Sequence, residues 1–249
     1  MGLLNKLGIA IGGHTPRDGA RTLPQGRNGG NGHTGAVAVG AHREPEMQET
    51  TRVSNGLREF LWNLEGLGRG TLLDLGPAWQ TTLNFFIERG FRVTSDDILH
   101  SWAEFQSQEL ANKKAELTAE EHAQRTPEAL AKKFLEENLP YPAGSFDALL
   151  LWDSLDYLEP ELVKQLVGHL TEMLRPGGAV LGLFHSKKPE GFQRYRVMDT
   201  NTLQVLSSKP ILPAHKPLQN REIQELFGRF RTMKSFVGRD QLRESLFIK

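Results

Sequence analysis

The chain contains no cysteine in its 249 residues, which excludes disulfides, a thiolate nucleophile and every Cys-based zinc site at once. It has no excess charge of either sign, since 30 Lys and Arg balance 30 Asp and Glu. No long-range field therefore draws it to nucleic acid or to an anionic membrane surface. Long apolar runs are missing as well, and nothing approaches the roughly 20 residues that span a bilayer. Met1-Gly2 opens like a myristoylation signal, but Lys6 stands where that signal requires Ser or Thr. The eight histidines show no ligand spacing, so no metal is expected. From these absences a soluble, cytoplasmic protein is expected, with no evident nucleic-acid partner and no membrane partner.

What is present divides in two. Residues 1–45 hold 11 of the 25 glycines and no aromatic residue. Such a stretch cannot bury enough apolar surface to offset the entropy of ordering it, and it reads as a disordered Gly-rich tail. Residues 46–249 have the composition of a globular domain. Helical spacing of Phe60, Leu61 and Leu64 predicts a helix over about 51–65. Thr71 to Leu75 is a short apolar run ending in Asp and Gly, followed by a helical pattern over Trp79, Leu83, Phe86 and Ile87, a stop at Gly90, and a second strand over Phe91 to Thr94. Strand, helix and strand within about 27 residues form the unit from which parallel sheets are made.

Further along, residues 98–133 read as helical with a break at Thr126-Pro127, and Phe134-Leu135-Glu136 as a short third strand. Phe146 to Trp152 is almost continuously apolar, as a strand buried on both faces must be. Leu162, Leu166, Leu170 and Met173 follow at helical spacing. Arg175-Pro176-Gly177-Gly178 predicts a turn before a strand over Ala179 to Phe184. After an irregular, Pro-containing segment at 186–218 come a helix over about 220–229 and two closing strands, Thr232 to Val237 and Leu242 to Ile248, close enough to pair antiparallel.

Ligands of open α/β sheets bind beyond the carboxyl ends of the strands. Those ends carry Asp74 and Gly76, Asp96 and Asp97, Glu136 or Glu137, Trp152 and Asp153, and His185. Acidic groups suit hydroxyls, amines and a cation better than phosphate. The order Leu72-Leu73-Asp74-Leu75-Gly76, Val93 to Ile98, Leu139-Pro140-Tyr141-Pro142-Ala143-Gly144-Ser145-Phe146-Asp147 and Leu174-Arg175-Pro176-Gly177-Gly178, with the closing antiparallel pair, resembles the class I S-adenosylmethionine-dependent methyltransferases over residues 51–249.

The resemblance implies a Rossmann-like α/β fold: a mostly parallel, seven-stranded sheet with an antiparallel last strand and helices on both faces. It implies S-adenosylmethionine as cofactor, with methyl transfer to an unidentified small-molecule acceptor. Carried over by residue, Gly76 lets the backbone approach the methionine end and Asp74 stands near the ammonium group. Asp97, with Asp96 as the alternative, accepts from the ribose hydroxyls. Glu136 or Glu137 faces the adenine, and Trp152 and Asp153 line the sulfonium side. No catalytic residue is named, because methyl transfer rests mainly on alignment and exclusion of water. The chain departs from the family at its glycine turn, which reads Gly76-Pro77-Ala78-Trp79-Gln80. That departure motivates a second expectation, a methyltransferase-like binding or regulatory protein without catalysis. A nicotinamide-dependent oxidoreductase is the third, weakened by the missing Gly-x-Gly-x-x-Gly turn.

Overall fold

The computed structural model describes residues 49–112, 126–238 and 240–249. The tail expected at 1–45 lies outside these residues. The first described element is a strand, β1 (Glu49–Val53), followed by helix α1 (Asn55–Asn63). The helix starts four residues later than its apolar spacing predicts, because Ser54 takes the N-cap and accepts from Leu57 N at 3.0 Å. The elements β2 (Gly70–Asp74), α2 (Gln80–Ile87) and β3 (Phe91–Ser95) then form the expected β-α-β unit.

Helix α3 (Ile98–Asn112) is followed by α4 (Pro127–Asn138), capped by Thr126 with Pro127 in its first turn. The third parallel strand expected at Phe134-Leu135-Glu136 is therefore part of a helix. Ala131, Phe134 and Leu135 are buried together at three- and four-residue spacing. A two-residue apolar step fits this pattern as well as it fits a strand, and the cap decides between them.

Strand β4 (Phe146–Trp152) leads through a 3₁₀ turn, Ser154–Asp156, into α5 (Pro160–Met173) and the long strand β5 (Leu174–His185). The predicted turn at Arg175 to Gly178 is an irregularity within β5: the partner of Phe146 is Leu174, whereas that of Ala148 is already Ala179. The segment expected to be irregular contains a hairpin, β6 (Phe192–Val197) and β7 (Thr202–Ser208), which pairs with β1 in a separate three-stranded sheet of order β1-β7-β6. Helix α6 (Asn220–Leu226) and strands β8 (Thr232–Val237) and β9 (Leu242–Ile248) complete the described chain.

The main sheet has six strands in the order β3-β2-β4-β5-β9-β8. The first four are parallel, and β9 runs antiparallel to β5 and β8. This is the expected Rossmann-like class, with six strands rather than seven in the main sheet among the described residues. Alternation along the strands builds two cores. Leu73, Leu149, Leu151 and Val180 face α3, α4 and α5, while Leu72, Ala148, Leu150 and Leu181 face α1, α2 and the small sheet. Helices thus cover both faces, as a parallel sheet requires. No helix among the described residues is long and apolar enough to cross a membrane.

Candidate functional site

From β2 the chain passes to β3 on one side and afterwards to β4 on the other. The carboxyl ends of β2 and β4 therefore flank the topological switch point, where open α/β sheets hold their ligands. Asp74 ends β2 and Trp152 ends β4. Trp152 Nε1 donates to Asp74 Oδ1 across this gap at 2.6 Å, and Gly76 N donates to the same oxygen at 3.0 Å. Trp152 has φ +52°, a left-handed conformation that costs an aromatic residue on the order of 1–3 kcal/mol. That backbone directs the indole over Gly76, where a Cβ would lie 2.7 Å from the ring. A side chain at position 76 would therefore meet the Trp152 ring.

Burial pushes the Asp74 carboxyl up to about 6, against the hydrogen bonds from Trp152 and Gly76; the charge of Asp97 adds to the rise and that of Arg194 opposes it. Asp97, just beyond β3, is held by Arg194 of β6 through two hydrogen bonds, Nη2 to Oδ2 at 2.9 Å and Nη1 to Oδ1 at 3.2 Å. Its neighbour Asp96 accepts from Tyr141 OH at 2.6 Å. Burial, followed by this contact with Asp96, raises the Tyr141 hydroxyl well above its ordinary range. Glu136 stands apart on the exposed surface of α4, 3.8 Å from Lys132 one turn earlier. As part of a helix rather than a strand end, it does not join the group.

A second set of polar groups gathers beyond β4 and β5. Asp153 Oδ2 lies 3.0 Å from His185 Nε2 and accepts from Tyr195 OH at 3.1 Å. A carboxylate only accepts, so Nε2 carries the proton, and in the neutral ring Nδ1 is the acceptor. Burial alone would lower the His185 pKa, but the hydrogen bond and charge of Asp153, with Asp156 beyond it, hold it above its ordinary value. Asp156 accepts the backbone N–H of His185 at 2.7 Å, and burial raises its carboxyl to about 6. His185 lines a cavity of about 590 Å³ together with Arg52, Lys187, Lys188, Gln193 and Gln241. Arg52 Nη1 and Tyr157 OH are buried with no hydrogen-bond partner among the described residues, as are Trp79 Nε1 in the glycine turn and Arg196 Nε on β6.

Sequence reasoning brings Asp74, Gly76, Asp97, Trp152 and Asp153 to the carboxyl edge and expects Tyr195 in the pocket beside them, but misses Arg194 and the strand that carries both. The Trp152 ring stacks on Tyr195, with centroids 5.8 Å apart and planes 10° apart. Arg194 and Tyr195 come from the segment expected to be irregular. The alternation in Phe192-Gln193-Arg194-Tyr195-Arg196-Val197 was the available signal for a strand.

No protein-family model matches the chain, and no curated protein matches it. Solved methyltransferase structures are similar to it at a distance. The 1,6-didemethyltoxoflavin-N1-methyltransferase of Burkholderia thailandensis, with bound 1,6-didemethyltoxoflavin and S-adenosylhomocysteine, is 15% identical, with 79% of each chain covered and a TM-score of 0.43. A SAM-dependent methyltransferase from Archaeoglobus fulgidus is 12% identical, covering 78% of this chain and 91% of its own, at a TM-score of 0.44. An S-adenosylmethionine-dependent methyltransferase from Mesorhizobium loti is 13% identical, covering 77% and 96%, at 0.41.

Proposed function

We propose that this protein is an S-adenosylmethionine-dependent methyltransferase acting on a small-molecule acceptor. One observation carries the reading: Asp74 and Gly76 after β2 adjoin Asp97 after β3 at the switch point of the sheet, in the chain order that resembles the family. The donor set suits the cofactor's chemistry. Asp97 offers two carboxylate oxygens to a ribose diol, Asp74 a buried acceptor to an ammonium group, and Gly76 a backbone without Cβ. When bound, the cofactor supplies a methyl group activated by a sulfonium.

The remaining tasks belong to the chain itself. The cavity beside His185 would seat the acceptor, and the stacked Trp152 and Tyr195 would keep water from the reacting end. Of the side chains there, His185 Nδ1 is the atom suited to receive a proton from an acceptor hydroxyl or amine. A methyltransferase-like binding protein without methyl transfer is the second reading, favoured by the pairing of Asp97 with Arg194 and the Trp152 ring over Gly76.

Calorimetric titration of the full chain with S-adenosylmethionine and S-adenosylhomocysteine tests the cofactor site, and binding without turnover on any acceptor would favour the second reading. Micromolar binding that disappears in Asp97→Ala is the result expected of the enzyme. A folded protein that binds neither ligand, with or without substitutions in β6, leaves the second reading.

A further inference from the structure

We infer that β6 is a strap across the cofactor crevice, which must lift off before the cofactor is admitted. The inference rests on the methyltransferase reading. Four successive residues of β6 anchor it. Arg194 uses both oxygens of Asp97, and its guanidinium and the carboxylate are largely buried, with side-chain exposures of 10% and 22%. A ribose diol would approach those same two oxygens, so the guanidinium, which occupies one acceptor site on each, competes with it for the carboxylate. Tyr195 stacks on Trp152 and bonds Asp153. Arg196 places its guanidinium 3.9 Å from the centre of the Trp79 ring, in the degenerate glycine turn. Val197 N donates to Thr82 Oγ1 in α2 at 3.0 Å.

These contacts run from the end of β3, over the ends of β2 and β4, to the first turns of α2. That is the whole length of the site assigned to the cofactor. The strap's ladder hydrogen bonds go to β7, and β7 pairs in turn with β1, so this small sheet has no strand pairing with the six-stranded one. Beyond these anchors, Ser54 N donates to Asn201 O in the hairpin turn at 2.7 Å, and Phe192 and Val197 are buried in the two cores. Release therefore breaks no strand ladder, and the unstrapped fraction of the population sets the apparent affinity.

The experiment is titration of the full chain with S-adenosylhomocysteine, comparing wild type with Arg194→Ala and, as a milder variant, Tyr195→Phe, which removes the hydroxyl bonds to Asp153 and to Gln193 and keeps the ring. Thermal unfolding confirms that each variant is folded; Arg194→Gln replaces Arg194→Ala should the latter not fold. Binding at least tenfold tighter in the Arg194 variant, with a smaller gain in Tyr195→Phe and loss of binding when Asp97→Ala is added, is the expected pattern. Equal affinity in wild type and the Arg194 variant would overturn the strap while leaving the cofactor reading intact. Weaker binding in that variant would overturn it too, by making Arg194 a ligand. Absence of binding in every folded variant overturns the methyltransferase reading and the strap with it.

Discussion

The carboxyl edge of the sheet has two halves in opposite states. At the ends of β2 and β3, Asp74, Asp96 and Asp97 each hold a hydrogen-bonding partner from this chain, and an indole covers the glycine. At the ends of β4 and β5, a His–Asp pair faces a cavity of about 590 Å³, with buried polar atoms left over among the described residues. A folded chain satisfies its buried polar groups unless something else is meant to. The carboxylates of the first half are therefore satisfied without a ligand, although Trp79 Nε1 and Arg196 Nε beside them have no partner among the described residues, and the second half leaves Arg52 Nη1 and Tyr157 OH unpaired. A ligand of the three carboxylates competes with side chains, whereas a ligand of the second half meets vacant hydrogen-bonding positions.

The largest stability effect separating the halves belongs to Asp153. Its carboxylate takes His185 and the Tyr195 hydroxyl on one oxygen, and removing it strands two buried donors. Asp153→Ala should cost about 3–5 kcal/mol, the range for breaking a buried pair from one side, read from the urea midpoint. A loss under about 1 kcal/mol would show that water already serves these donors, and that this half is more open than its burial implies.

A comparable effect, but one dependent on pH, is expected at Asp74. Its folded pKa of about 6 lies above the ordinary 3.8, so between those values the folded state binds the extra proton. Stability from this group therefore falls as pH rises from about 4 to 6 and is level beyond. A shift of about two units corresponds to about 3 kcal/mol. Asp74→Asn, neutral at every pH, should gain that much on wild type between pH 3.5 and 7 in paired denaturation curves. Asp156 has the same sign but is present in both proteins, so the difference isolates Asp74. A constant difference would mean that the crevice around Asp74 is wet.

How much of this could be read in the residues depends on how local the cause is. Strands β2 and β4 announce themselves, because burial on both faces demands apolar runs such as Leu149-Leu150-Leu151, and the closing pair β8 and β9 follows from its short connection. The sixth and seventh strands of the chain were hidden by neighbouring prolines, Pro189 and Pro210, and by two arginines that a linear reading gives to solvent. Arg194 is buried only because Asp97 lies 97 residues earlier, and nothing near either residue encodes that pairing. Phe134-Leu135 failed for the opposite reason: two apolar residues satisfy strand and helix alike, and Thr126 eight residues upstream decides. Strand-end position was enough to place Asp74, Gly76 and Asp97 at the carboxyl edge. Their partners depend on chain folding over long separations and were not legible.

The smallest predicted effect tests whether the glycine is kept for the cofactor or for the indole. Gly76→Ala places a methyl group 2.7 Å from the Trp152 ring, an overpacking expected to cost about 1–3 kcal/mol. Trp152→Leu removes that ring and, with it, one hydrogen bond to Asp74. If the ring is the reason for the glycine, the two changes are strongly non-additive, and Gly76→Ala costs under about 0.5 kcal/mol in the Trp152→Leu background. Strict additivity would place the constraint in the backbone turn instead, and Trp152 would then be a neighbour of the crevice rather than its filling. The same double variant titrated with S-adenosylhomocysteine relates packing to function. A methyl group tolerated by the fold but blocking the ligand would leave Gly76 serving both halves of its role, the indole when the crevice is closed and the cofactor when it is open.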